Sequence, residues 1–133
     1  MNSAIEMHDS ECVSIEIDSR GQGTVIFDAY VHRTDGEPGR SAGDGGIQRI
    51  RMKIEDAKIE GRIGELPTYL YEGCLTVGSA LQENMIPFPA EYSAATCLRM
   101  MFAEDARIVI IRGTGISIEA EGLFKFVEFL PVV

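Results

Sequence analysis

Apolar residues recur at every second position through most of this chain, which is the period of a β-strand and not of a helix. In CVSIEID (residues 12–18), Val13, Ile15 and Ile17 fall on one side, with Ser14, Glu16 and Asp18 on the other. TVIFDAYVHR (24–33) continues the alternation with Val25, Phe27, Ala29 and Val31, and the intervening SRGQG is a turn by composition. TCLRMMF, RIVIIRG, GISIEAE and LFKFVEF supply four more strands, separated by AEDA, GTG and EG. Short connections of this kind predict an antiparallel meander. IVII is apolar on both faces, as a central strand would be. IQRIRMKIEDAKIEGRIG reads as a hairpin turning at Asp56-Ala57, with Ile54 opposite Ile59 and Ile50 opposite Ile63. A short strand is expected near Gly73 to Val77, and Pro87 and Pro89 forbid a central strand around PFP. No helical period is convincing; SALQEN offers one turn at most. The expectation is a single all-β domain over residues 1–133, an antiparallel two-sheet β-sandwich, with a β-barrel as runner-up.

One segment breaks the alternation. TDGEPGRSAGDGG (34–46) holds five glycines and a proline in thirteen residues, and is expected to be a long flexible loop. A chain of 133 residues can bury a sizeable core with no metal or disulfide staple. Its three cysteines, Cys12, Cys74 and Cys97, are odd in number and form no CxxC pair. That argues against a disulfide framework or a zinc knuckle, and predicts apolar filler in a reducing cytoplasm.

The formal net charge of −9, from 12 basic and 21 acidic residues, repels a phosphate backbone, so no nucleic-acid partner is expected. Arg49, Arg51 and Lys53 are spaced by two and read as a solvated sheet face. A basic protein partner suits the overall charge. No run approaches the roughly 18 apolar residues of a membrane-spanning helix. MNSAIEMHDS has neither the basic region nor the apolar core of a signal peptide. The expected setting is cytoplasmic, with no membrane partner.

The densest chemistry lies in EMHDSEC (6–12), which carries one of the two histidines, three acids, a serine and a cysteine. If SRGQG closes a hairpin with Asp18 opposite Thr24, the numbers of every facing pair sum to 42. Odd positions then form the apolar face. His8, Ser10 and Cys12 share the other face with Asp28, Tyr30 and His32. Ser10 faces His32, Cys12 faces Tyr30, and His8 lies diagonal to His32, within about 7–8 Å. The candidate surface patch is therefore His8, Ser10, Asp28, Tyr30 and His32.

Three chemistries suit such a patch. A metal-dependent hydrolase would use His8, His32 and Asp28, but Asp28 and His32 lie roughly 13 Å apart along a strand, and two imidazoles alone are too few ligands. A nucleophilic site would use Ser10 with His32 as base, or the Cys12 thiol beside Tyr30, but the chain has no Gly-x-Ser-x-Gly elbow and a flat sheet face offers no cleft. A polar binding face requires neither.

Other features are blander. Tyr69, Tyr71, Phe88 and Tyr92 would suit a sugar- or small-molecule-binding cavity, but closing the core explains them more simply. Met100, Met101 and Phe102 are expected in the core. GQGTV and GTGIS lack the residues of a phosphate loop and read as hairpin turns. Asp35, Glu37 and Asp44 lack the EF-hand spacing. No cofactor is expected.

MHDSECVSIEID, followed by a turn and GTVIFDAYVHR, resembles the opening of small uncharacterised bacterial β-proteins that begin with an HDS or HDA tag. Some of those are immunity proteins of bacterial toxin systems. The resemblance covers about the first 33 residues and transfers no catalytic residue. It implies a cytoplasmic bacterial protein of interaction type. The functional expectation is a non-enzymatic binding domain with a protein partner, able to form a homodimer through its edge strands.

Overall fold

The computed structural model describes residues 1–133, which form twelve strands and no helix. They are β1 (Asn2–Ile17), β2 (Gly23–Thr34), β3 (Gly43–Glu55), β4 (Lys58–Glu60), β5 (Thr68–Val77) and β6 (Ala80–Glu83). The remainder are β7 (Met85–Phe88), β8 (Ala90–Tyr92), β9 (Thr96–Phe102), β10 (Ile108–Gly113), β11 (Gly115–Ala120) and β12 (Lys125–Leu130). All pairings are antiparallel and join in one continuous sheet, ordered β4-β10-β9-β5-β1-β2-β3-β11-β8, with β12 on β3, β6 on β5 and β7 on β1. The sheet curls into a half-barrel. Its two halves meet at only two residue pairs, Glu11 with Tyr69 and Cys12 with Thr68. No helix is long and apolar enough to cross a membrane.

The alternation in the sequence builds the core. Val25, Phe27, Ala29 and Val31 of β2, with Ile50, Met52 and Ile54 of β3, point inward and are fully buried. Leu98, Met100 and Phe102 of β9, with Val109 and Ile111 of β10, face them from the other half. Burying each large apolar side chain contributes about 1.5–3 kcal/mol.

The connections differ from the local ones expected. β3 and β4 are not a hairpin: β4 pairs with β10, and β3 lies between β2 and β11. Asp56 takes φ +49°, and the following Ala57 is buried, donating its amide to Gly21 O, so the chain turns across the core end there. GTG is likewise a crossing point, because β10 pairs with β9 while β11 pairs with β3 and β8. Only β9 and β10 keep the expected meander pairing. IVII buries Val109 and Ile111 and leaves Ile108 and Ile110 half-buried, so β10 is covered mainly on one face. Pro87 lies in β7, which pairs only with β1, and an edge position tolerates proline.

The glycine-rich segment is shorter as a loop than expected. Its last four residues, 43–46, belong to β3; all four pair with β12, and 44–46 also pair with β2. Residues 35–42 form a tied turn: Thr34 Oγ1 donates to Ala42 O (2.6 Å) and accepts from Gly36 N (3.1 Å), and Ser41 Oγ accepts from Glu37 N (2.9 Å). The glycines in β3 answer to packing. A Cβ at Gly45 would overlap the Tyr30 hydroxyl, and one at Gly46 would overlap Lys125 O and the Phe124 ring. Regular strand geometry is available here only because these positions carry no side chain.

Candidate functional site

The first hairpin departs from the expected register in three places. Near the turn, Ile17 faces Gly23 and Ile15 faces Val25, two residues tighter than expected. The cause is Asp18, whose carboxylate accepts from Arg20 N (2.8 Å) and Gln22 N (2.9 Å), fixing an Asx-type turn over 18–22. A bulge between Cys12 and Ser14 then reverses parity, so Cys12 faces Phe27 in the core. A wide bulge between Glu6 and Glu11 shifts the register again: Glu6 faces Tyr30 and Ala4 faces His32. Ser10 does not face His32, and Cys12 does not face Tyr30.

The wide bulge sits where β1 exchanges neighbours, from β7 beside residues 3–6 to β5 beside residues 11 and 12. Asp9 adopts φ +73°, a left-handed conformation that aspartate tolerates better than most residues. Met7 N donates to Asn84 O (2.7 Å) and His8 N to Asn84 Oδ1 (2.7 Å), so the corner at Asn84 closes the bulge from outside. Ser10 is turned fully inward. Its hydroxyl donates to Glu6 O (2.6 Å) and accepts from Tyr30 N (3.0 Å), bridging the gap in the ladder.

Each predicted site residue now has a place. His32 Nε2 lies 3.0 Å from Glu6 Oε2, and its ring meets Tyr30 edge-on with centroids 5.4 Å apart. Tyr30 Oη donates to Glu128 Oε1 (2.5 Å) from β12. Burial, that hydrogen bond and the carboxylates of Glu128, Glu6 and Asp9 push the Tyr30 phenol well above its ordinary value. Asp28 receives two hydrogen bonds from Arg49 (2.8 and 2.9 Å), which hold its carboxyl below the usual range. His8 turns toward β5: Nδ1 donates to Tyr71 O (2.7 Å), and Nε2 lies 3.4 Å from Asp9.

The structure thus brings Tyr30 and His32 together with Glu6 and Glu128, removes Ser10 to the interior, and draws His8 and Asp28 to neighbouring strands. No three His, Cys, Asp or Glu side chains converge to hold a metal ion. The His8, His32 and Asp28 triad expected of a hydrolase is not assembled, because each is held by a different partner. Nucleophilic chemistry is equally unsupported. Ser10 is enclosed, and burial pushes the Cys12 thiol up to about 12, far from a thiolate at neutral pH.

Glu6 and Glu128 were missed. Glu6 lies inside EMHDSEC on the same alternating side as His8 and carried a usable signal; Glu128 is 98 residues from Tyr30 and carried none. Tyr69 and Tyr71 are exposed, which corrects the expectation that they close the core; Tyr92 and Phe88 do pack there. Met100 and Phe102 are buried and Met101 is half-buried. Arg51 and Lys53 of the basic stripe pair with Glu119 and Glu121 on the outer face, as a solvated stripe should. A groove of about 460 Å³ runs beside the bulge, lined by His8, Tyr71, Cys74, Leu81, Asn84 and Arg99. It opens on the outer face and is not a cavity in the core.

His8 gives a direct check on the bulge. Its pKa is raised from 6.5, chiefly by the hydrogen bond to Tyr71 O; burial opposes this, and the carboxylates of Asp9 and then Glu6 add to the rise. A raised histidine stabilises the fold fully below the unfolded value, and that contribution is lost as pH rises through the folded value. The expected NMR titration midpoint for His8 is above 6.5, and Asp9→Asn, which keeps the left-handed backbone accessible, lowers it. A midpoint at or below 6.5 contradicts the bulge geometry.

Comparison of the chain with protein-family models, curated proteins and solved structures finds no match in any of the three.

Proposed function

We propose that this is a non-enzymatic protein-binding domain of the immunity type, acting in the bacterial cytoplasm, whose recognition face is the outer surface of β1, β2 and β12 around Glu6, Tyr30, His32 and Glu128. The observation that carries the reading is the state of the site's side chains. Every group that could serve as nucleophile or base is already hydrogen-bonded within the chain or buried, while the face they build is half-buried at Glu6, Tyr30 and His32 and exposed at Glu128. A tyrosine and a histidine framed by Glu6, Asp9 and Glu128 form a fixed aromatic and acidic surface. Aromatic anchors of this kind contribute strongly to protein interfaces, and a net charge of −9 steers basic partners toward them. Three free cysteines suit a reducing compartment. The thin β1–β5 junction supports reading the curled sheet as two layers packed as a sandwich.

The test is affinity purification of the tagged protein from its source cells, beside a Glu6→Gln/Glu128→Gln double variant. The expected result is one stoichiometric basic protein held by the wild type and retained at least about tenfold less by the variant, a loss of two charged contacts at about 1 kcal/mol or more each. Equal retention, or no protein partner at all, refutes the reading.

A further inference from the structure

β12 is the most exposed strand of the fold. It pairs with β3 along one edge, and its other edge pairs with nothing. It also displays aromatic side chains: Phe129 is 80% exposed and Phe126 53%, with Val127 between them comparably open. An open apolar edge is a template for another strand, which proteins ordinarily blunt or cover.

The bulge in β12 sorts its side chains. Lys125 faces Ile47 and Glu128 faces Gly45, two residues apart on β3 and therefore on one side of the sheet. Phe126 faces Gly46 and Phe129 faces Asp44, on the opposite side, where their rings meet edge-on with centroids 5.1 Å apart. Without the extra residue at Val127, Lys125 and Glu128 would lie on opposite faces, as residues three apart on a regular strand do.

We infer that the occupant of this edge is a second copy of the chain, joined to the first by antiparallel β12–β12 pairing across a twofold axis at the bulge. The charge pattern is self-complementary in that arrangement alone. With the axis between Phe126 and Val127, Lys125 of each copy stands opposite Glu128 of the other, on the same face, and the ion pair forms twice. Lys125 takes part in no ion pair within its own chain. Glu128 receives Tyr30 at Oε1, leaving Oε2 for the partner lysine. On the opposite face the two Phe126–Phe129 pairs come together as a four-ring cluster. An isologous contact closes on itself and leaves no β12 edge to propagate, as a closed dimer requires. The inference of this assembly does not rest on the proposed recognition of a basic partner, although the two surfaces share Glu128 and so compete for it.

The test is sedimentation velocity of the full chain over a micromolar to millimolar series. Wild type is expected to reach twice the 14.6 kDa protomer mass. Phe129→Ala, at an exposed position that leaves the monomer folded, weakens association at least tenfold. Lys125→Glu sets like charges opposite each other and also weakens it at least tenfold. Lys125→Glu/Glu128→Lys exchanges the charges and restores it. A wild-type monomer throughout overturns the inference, even if another peptide is found on the edge. So does a dimer unaffected by Phe129→Ala and Lys125→Glu, or one that the exchanged pair fails to restore.

Discussion

Replacing Ser10 with alanine is expected to lower the free energy of unfolding by about 2–4 kcal/mol, one of the largest effects of any conservative change on this chain. Ser10 is fully buried in the wide bulge of β1, and its side chain links across the gap in the β1–β2 ladder between the pairs Glu6–Tyr30 and Glu11–Asp28. Its hydroxyl satisfies Glu6 O and Tyr30 N together. Alanine leaves a carbonyl and an amide without partners, at about 1–3 kcal/mol each. Urea denaturation reads the loss directly as a lower midpoint with an unchanged slope. A nucleophilic serine would behave oppositely, since catalytic residues are commonly held at a cost to stability. Wild-type stability for Ser10→Ala contradicts the structural role assigned to it.

Gly46→Ala is expected to detach β12, at a cost of about 3 kcal/mol. Its Cβ would overlap the Lys125 carbonyl oxygen and the Phe124 ring. The ring can turn, but the carbonyl belongs to the strand that pairs with β3, so relief requires β3 and β12 to separate. Overpacking costs about 1–3 kcal/mol where side chains can adjust, and a clash with backbone lies at the upper end. Hydrogen exchange locates the damage: amides of residues 125–130 should exchange at least tenfold faster, with β9 and β10 unchanged. Loss of β12 also removes Glu128 from Tyr30, so recognition and self-association should weaken together. Wild-type protection of β12 in this variant contradicts the packing.

The long strands were legible, though β6, β7 and β8 were not, and of the pairings only β1 with β2 and β9 with β10 were. Alternation marks Val25, Phe27, Ala29 and Val31 as buried because burial on one face imposes a period of two, whatever strand lies alongside. Pairing depends on where the chain goes after a turn. DA at 56–57 and GTG at 113–115 look like hairpin turns, yet both carry the chain across the core, because Ala57 is buried against Gly23 and Gly113 is packed against Ile54. The site was legible to the same degree. Tyr30 and His32 share a face, as two positions two apart on a strand must. Ser10 and Cys12 were misplaced because two bulges each shifted the register, and a bulge leaves little trace in a pattern of polar residues. Asp9, Ser10 and Asn84 create the larger one, through a left-handed backbone, an inward hydroxyl and a capping corner 75 residues further along from Asp9. EMHDSEC is therefore neither a row of catalytic parts nor a plain lead-in. It is the bulge that turns Glu6 toward His32, His8 toward Tyr71 and Ser10 into the core.

The most direct test of the recognition face is an NMR footprint of the uniformly labelled protein with the partner recovered from source cells. The predicted result is amide shifts and broadening concentrated at Glu6, Tyr30, His32 and Glu128, with the β5–β9 side unperturbed. Perturbations centred instead on Tyr71, Cys74 and Arg99 would contradict the account and move recognition to the groove beside the bulge.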